Sequence, residues 1–157
     1  MYNHELRKIG TILAIQYLAL TTMVVLCSLI ILGTYDSAVG LELTCTEWPF
    51  CANEFLPSEE YLVEWIYGIV AITASILTVT TMAACIINKK SNLKIKITSS
   101  IATVSIIVPL ILDASVIDLK LHAILVTVHL GSGLVLILMV LLTTLFAFRI
   151  SRNPPVV

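Results

Sequence analysis

The chain has 157 residues, of which 59% are hydrophobic and only 12% charged, and its mean hydropathy is +1.03. This composition is too apolar for a soluble globular domain and predicts an integral membrane protein that lies in the lipid bilayer. The sequence has no glycine-rich phosphate loop, no Ser–His–Asp arrangement and no paired-cysteine zinc spacing. Its basic residues flank apolar segments without interleaved aromatic residues, which argues against nucleic acid as a partner.

Four long apolar runs are the main feature of the chain. About 20 apolar residues in a helix cross a bilayer core of about 30 Å, so each run predicts a transmembrane helix. The third run carries Pro109 and Asp113, and the fourth run is the most apolar. The predicted spans are residues 11–35, 61–87, 97–117 and 121–147.

These spans predict an all-α integral membrane protein, a four-transmembrane-helix bundle that forms one domain over residues 1–150. A cleaved signal peptide is not expected, because the first run is too long for the apolar region of such a peptide. Residues 151–157 contain two consecutive prolines, Pro154 and Pro155, which cannot continue a helix, and the segment is expected to be a disordered tail.

The distribution of charge predicts the orientation. Lysine and arginine residues precede the first span, fill the segment between the second and third spans, and follow the fourth. The loop 36–60 has no lysine or arginine and carries six acidic residues. Basic segments stay in the cytoplasm. We therefore expect a multi-pass protein of the cell membrane with both termini cytoplasmic and the loop extracytoplasmic.

That loop contains the only close cysteine pair, Cys45 and Cys51, with Pro49 between them. On the oxidising side of a membrane the two thiols are expected to form a disulfide. The pair is either a structural staple or a redox pair that cycles, although cycling needs a thiolate-favouring environment that an acidic loop does not obviously supply. Cys27 and Cys85 lie within predicted spans and are interpreted as packing residues.

Two residues near the start of the second span are candidates for chemistry. Glu64 lies about one turn inside this span, and an ionisable group at membrane depth marks a candidate functional site. The alternative is that its carboxylate extends to the interface beside Tyr61. Tyr67 follows at i+3 on the same helix face and is either a site residue or an aromatic residue of the interfacial belt.

Two histidines accompany the fourth span. His129 lies deep in the span, where it is either a haem-iron ligand or a hydrogen-bonded packing residue, because bundle interiors accept cofactors between facing helices. His122 lies two turns earlier on roughly the same face and is a possible second ligand, a propionate partner or an interfacial residue. Gly131 and Gly133 allow either close helix approach or a cofactor edge that lies flat against the backbone.

Two other spans carry polar candidates. Asp113 and Asp118 near the outer end of the third span are interpreted as part of a solvated turn, although Pro109 could bend the helix and make room for water or a ligand beside Asp113. Gln16 in the first span could form a hydrogen bond across helices.

The loop segment "TCTEWPFC" and the residues before it resemble the first outer loop of haem A synthases, which reads roughly T-G-S-G-L-x-C-P-D-W-P-x-C. Glu47 stands where that family has Asp. Six residues fall on matching positions: Gly40, Leu43, Cys45, Trp48, Pro49 and Cys51. That family consists of two four-helix halves, and its compact archaeal members have one half. The present chain has the length of one half.

The resemblance implies an enzyme that oxidises a methyl group of haem O to the formyl group of haem A for haem–copper oxidase assembly. It implies that Glu64, which opens the run "EWIYG", lies near the reacting methyl group, that His129 in "TVHLGSGL" is an axial haem-iron ligand, and that Cys45 and Cys51 form the outer disulfide. The cofactor would be haem O, haem A or haem b, and a half-size protein is expected to form a homo-oligomer.

The chain departs from the family in the second helix. The family motif is E-x-x-H-R, and its histidine is a haem ligand, whereas this chain has Tyr67 and Gly68 at those positions. A phenolate ligates iron in some haem proteins. The departure supports an alternative function, a non-catalytic accessory or assembly subunit of a haem–copper respiratory oxidase that binds no haem. A membrane protein that handles disulfides is a third possibility.

Overall fold

The computed structural model describes residues 2–39, 62–88, 92–119 and 123–152, and these segments are helical except at Asn88 and Asn92. The helices are α1 (Tyr2–Val39), α2 (Leu62–Ile87), α3 (Leu93–Leu119) and α4 (Ala123–Arg152). Each contains a stretch long and apolar enough to cross a membrane: Ile12–Tyr35, Leu62–Ile87, Leu93–Leu112 and Thr127–Arg149. The prediction of an all-α protein with four membrane-spanning helices is confirmed.

Helices α1, α3 and α4 are longer than the apolar runs that predict them, whereas α2 has nearly the predicted bounds. α1 begins at Tyr2 rather than near residue 11, and α4 continues to Arg152 rather than ending near residue 147. The added segments carry Glu5, Arg7 and Lys8 in α1 and Arg149 and Arg152 in α4. Glu, Lys and Arg are good helix formers, so a helix continues where the hydropathy falls. α3 runs through Pro109 without ending. The predicted tail begins within the last residues of α4, and the part after Arg152 lies outside the described residues.

The four helices form a closed ring. α1 packs against α2, α2 against α3, α3 against α4, and α4 against α1. Consequently α2 and α4 lie diagonally across the bundle. We call the end of the bundle where α2 stops and α3 starts the basic end, because it carries Lys94, Lys96 and Arg149. We call the opposite end, where α1 stops and α2 starts, the connector end.

Each helix turns one narrow stripe toward the interior. In α2 the buried positions recur at steps of three or four residues, the spacing of a helix seam that packs against its neighbours. The residues of this stripe are small, which lets helices approach closely without a hydrophobic force between them. They are Gly68, Ala71, Ala74, Thr78, Thr81 and Cys85.

The tightly packed core extends from the middle of the bundle to the basic end. One cluster at mid-depth brings together residues of all four helices: Leu26, Ala74, Ala102, Ile106, Leu136 and Val140. A second cluster near the basic end contains Ile15, Cys85, Ile95 and Ala147. Among the described side chains, none is fully buried in segments 27–35, 107–112 or 124–135. The packing of the described side chains of α1, α3 and α4 therefore loosens toward the connector end, whereas α2 keeps Gly68 and Ala71 buried there.

Buried threonines link neighbouring helices in the tightly packed half. The hydroxyl oxygens of Thr22 in α1 and Thr81 in α2 lie 3.0 Å apart. Thr143 in α4 donates to the hydroxyl oxygen of Thr98 in α3 over 2.8 Å. Hydrogen bonds of this kind hold membrane helices together where hydrophobic association gives no advantage. We call these two contacts the threonine pairs.

Polar side chains also join α1 to α4. The side-chain amide of Gln16 donates to the carbonyl oxygen of Ala147 over 3.0 Å, and Thr144 donates to the carbonyl oxygen of Ala19 over 3.3 Å. Gln16 is only 4% exposed, so its amide is satisfied within the protein. The prediction that Gln16 bonds across helices is confirmed.

Candidate functional site

Glu64 and Tyr67 continue the inward stripe of α2 toward the connector end. Glu64 precedes the buried Ala71 by seven residues, and Tyr67 precedes the buried Ala74 by seven. Seven residues are close to two helical turns, so each candidate shares a face with its buried counterpart. Both side chains are partly buried. The sequence-predicted pair therefore lies on the interior side of α2, in the loosely packed half.

His129 has the corresponding position on α4. It precedes Leu136 by seven residues and Thr143 by fourteen, and these two residues are 3% and 1% exposed. Its side chain is partly buried. The carbonyl of His129 accepts a hydrogen bond of 2.8 Å from the hydroxyl of Ser132 in the next turn. His129 thus belongs to the inward stripe of α4, near the connector end.

The three candidates consequently occupy the same half of the bundle on two facing helices. α2 carries Glu64 and Tyr67, and α4, its diagonal neighbour, carries His129. Diagonal helices face each other across the interior of a four-helix bundle, the place where such bundles hold cofactors.

The ring of Tyr67 also contacts α1. A Cβ built on Gly33 would lie 3.3 Å from Cε2 of Tyr67, so the ring packs over a position where any larger residue would crowd it. Gly33 follows Leu26 by seven residues and belongs to the inward stripe of α1. Sequence reasoning missed Gly33, although its spacing from the buried Ala19 and Leu26 marks the same stripe.

Gly131 and Gly133 differ in their surroundings from close-packing glycines. Apart from chain neighbours and the helix's own backbone, no atom of the described residues lies within 4 Å of a Cβ built at either position. No described residue of another helix therefore packs closely on either glycine. Gly131 is exposed on the outward face, whereas Gly133 is partly buried and precedes the buried Val140 by seven residues. Gly133 thus lies on the interior side of α4, one turn from His129, at a point that no described side chain fills.

Other predicted residues lie outside the described part of the protein. Cys45, Cys51 and His122 belong to segments that the structure does not describe, so the disulfide and the second histidine remain predictions. Asp113 and Asp118 lie within α3, which continues to Leu119, so the interpretation of these residues as part of a turn is wrong. Their side chains are not described.

The cysteines of the spans are both free thiols. Cys85 is buried in the cluster near the basic end. The interpretation of Cys85 as a packing residue is confirmed. Cys27 is exposed on the outer surface of α1, so that interpretation is wrong for Cys27.

No group of three or more His, Cys, Asp or Glu side chains within segments 2–39, 62–88, 92–119 and 123–152 is arranged to hold a metal ion. A haem needs fewer protein ligands, because the porphyrin supplies the equatorial nitrogens and the protein supplies one or two axial groups.

Comparison of the chain with known protein families, with curated proteins and with solved structures found no match. The residues of the loosely packed half are the basis on which a function is proposed below.

Proposed function

We propose that this protein binds haem in the connector half of its bundle and acts as a half-size haem A synthase-like enzyme. Its reaction would be the oxidation of the methyl group of haem O to the formyl group of haem A, for the assembly of haem–copper oxidases. One observation carries the proposal: Glu64, Tyr67 and His129 continue the inward stripes of two facing helices.

The residues fit a haem on three counts. His129 is partly buried on the inward face of α4. Its imidazole would be an axial ligand of the haem iron. The space beside Gly133 is unfilled by the described residues. The surrounding half of the bundle contains no fully buried side chain in the described parts of α1, α3 and α4 near the connector end. A bound haem would supply one-electron redox chemistry.

Glu64 is the group we assign to proton transfer. Oxidation of a methyl group to a formyl group takes its oxygen atom from water and releases four protons and four electrons, and the electrons would pass to an electron acceptor outside the chain. A carboxylate on the inward face of α2 can accept the protons and pass them toward the connector end. The first turn of α2 also places Glu64 near the aqueous boundary of the span. This position connects the interior to an exit for protons.

The orientation and location belong to the same proposal. The basic end carries Lys94, Lys96 and Arg149. These charges support an orientation in the cell membrane with that end and both termini in the cytoplasm. The acidic loop 36–60 would then lie outside the cytoplasm, where Cys45 and Cys51 can form a disulfide. The partners would be a second copy of the chain or subunits of the oxidase that receives haem A.

A second function is favoured by the contact between Tyr67 and Gly33. The ring of Tyr67 packs against α1, as a structural aromatic residue does, at the position where haem A synthases have a ligating histidine. This packing supports the alternative of a non-catalytic accessory or assembly subunit of a haem–copper respiratory oxidase. Such a subunit would keep the four-helix fold without carrying out the oxidation.

Pigment analysis separates the two functions. The protein is expressed in cells that make haem O, purified in detergent, and examined by its reduced-minus-oxidised spectrum and by mass analysis of the extracted pigment. The enzyme contains haem and yields the formylated product. Glu64→Gln retains the haem and loses the product, whereas Thr73→Ala on the exposed face of α2 behaves as the wild type. A colourless protein that copurifies with oxidase subunits supports the accessory function.

A further inference from the structure

Gly133 is a glycine on the inward stripe of α4. It directly precedes a run of large apolar residues, Leu134 to Leu138, and has a lower helix propensity than they have. Its equivalents one and two heptads along the inward stripe, Val140 and Ala147, are 3% and 2% exposed. The stripe is therefore filled by side chains below Gly133 and unfilled at Gly133.

Close packing of another helix does not explain this glycine. Beyond α4's own backbone and the adjoining residues, a Cβ at Gly133 would have no described atom within 4 Å. Protein interiors rarely leave such space empty, because unfilled volume loses dispersion contacts with the surrounding atoms. The missing side chain thus makes room for something that is not part of the described chain.

The neighbouring side chain, His129, points to a haem as the occupant of this space. His129 precedes Gly133 by four residues, and positions i and i+4 lie one above the other on a helix face. A flat macrocycle whose iron is held by His129 needs room beside the helix within a turn of the ligand. We propose that Gly133 is a positioning residue that accommodates the edge of the haem macrocycle, an inference that rests on the proposed binding of haem by His129.

Gly131 provides a matched control. It is also a glycine of α4, a Cβ there also meets no described atom within 4 Å, and it lies two residues away on the exposed face. A larger side chain is sterically acceptable to the protein at both positions. A ligand on the inward face would contact Gly133 and not Gly131.

The test compares Gly133→Leu with Gly131→Leu in the full chain. Each purified, haem-free protein is titrated with hemin in detergent and followed by visible absorption, and its thermal unfolding is followed by circular dichroism. We expect Gly133→Leu to weaken hemin binding by at least about tenfold and Gly131→Leu to change it by no more than about twofold. Both haem-free variants should unfold at or above the wild-type temperature.

Each result decides between the claims. Equal hemin binding by wild type and Gly133→Leu overturns the role of Gly133 but leaves haem binding intact. A wild-type protein that binds no hemin overturns both claims. A lower unfolding temperature for haem-free Gly133→Leu than for Gly131→Leu shows that protein fills the space and overturns the inference. Gly133→Ala, the smallest change, should weaken binding in the same direction by a smaller factor.

Discussion

The ring of Tyr67 in α2 lies over the backbone of Gly33 in α1, with 3.3 Å between Cε2 and a Cβ built on the glycine. This contact fixes the separation of α1 and α2 in the half of the bundle where other packing is loose. It also connects a candidate site residue directly to the fold.

The first prediction concerns this contact. Gly33→Leu forces the ring of Tyr67 to move, and overpacking of this kind costs about 1–3 kcal/mol of unfolding free energy. In a Tyr67→Ala background the same substitution should cost much less, because the ring is absent. Unfolding in mixed micelles of a mild detergent and dodecyl sulfate, followed by circular dichroism, measures both values. An equal cost in the two backgrounds contradicts the contact, and Gly131→Leu serves as the control in open space.

The second prediction concerns the threonine pair between α3 and α4. Thr143→Val preserves the shape of the side chain and removes its hydroxyl, so we expect a loss of about 0.6 kcal/mol and at most about 1.7 kcal/mol. In a double-mutant cycle with Thr98→Val the two losses should be strongly non-additive. Thr80→Val is the control, since its hydroxyl is exposed and bonds only to its own helix, at the carbonyl of Ile76. Additive losses would mean that the pair does not couple the helices.

The third prediction concerns Gln16, which links the first helix to the last through the carbonyl of Ala147. Gln16→Met keeps the length of the side chain and removes the donor, and it should lower the unfolding free energy by about 0.6–1.7 kcal/mol. Tyr17→Phe is the control, because Tyr17 is 66% exposed on the adjacent position and should change stability by less than about 0.5 kcal/mol. If both variants match the wild type, the link is not a source of stability.

The fold was largely predictable from the sequence because hydropathy alone identifies each span. The ends of the helices were less predictable, because α1 and α4 extend into charged segments that hydropathy does not distinguish from loops. Hydropathy also does not show which helices are neighbours. The diagonal placement of α2 and α4, which brings His129 opposite Glu64 and Tyr67, depends on how the four helices close into a ring.

The site was predictable residue by residue but not as an arrangement. Glu64 and His129 stand out as ionisable groups in apolar runs. The seven-residue spacing from Glu64 to Ala71 and from His129 to Leu136 was present in the sequence, but only burial shows which stripe faces inward. The choice between close packing and open space at Gly133 required coordinates, because both uses of glycine have the same sequence pattern.

The fourth prediction concerns orientation. In a background whose four cysteines are replaced by serine, Ser58→Cys in the acidic loop should react with a membrane-impermeant maleimide added to intact cells. Lys94→Cys at the basic end should react only after the cells are opened, since basic segments stay in the cytoplasm. Labelling of Lys94→Cys in intact cells would show that the orientation is the opposite one, with the candidate site on the cytoplasmic side.

The most direct test of haem binding is a hemin titration of the wild-type protein and of His129→Ala, monitored by the Soret band in the oxidised and reduced states. An axial histidine predicts that the wild type binds hemin at a defined stoichiometry and that His129→Ala loses the band or shifts it to that of weakly held pigment. Identical spectra and affinities for the two proteins, or a wild type that remains colourless, would contradict the account.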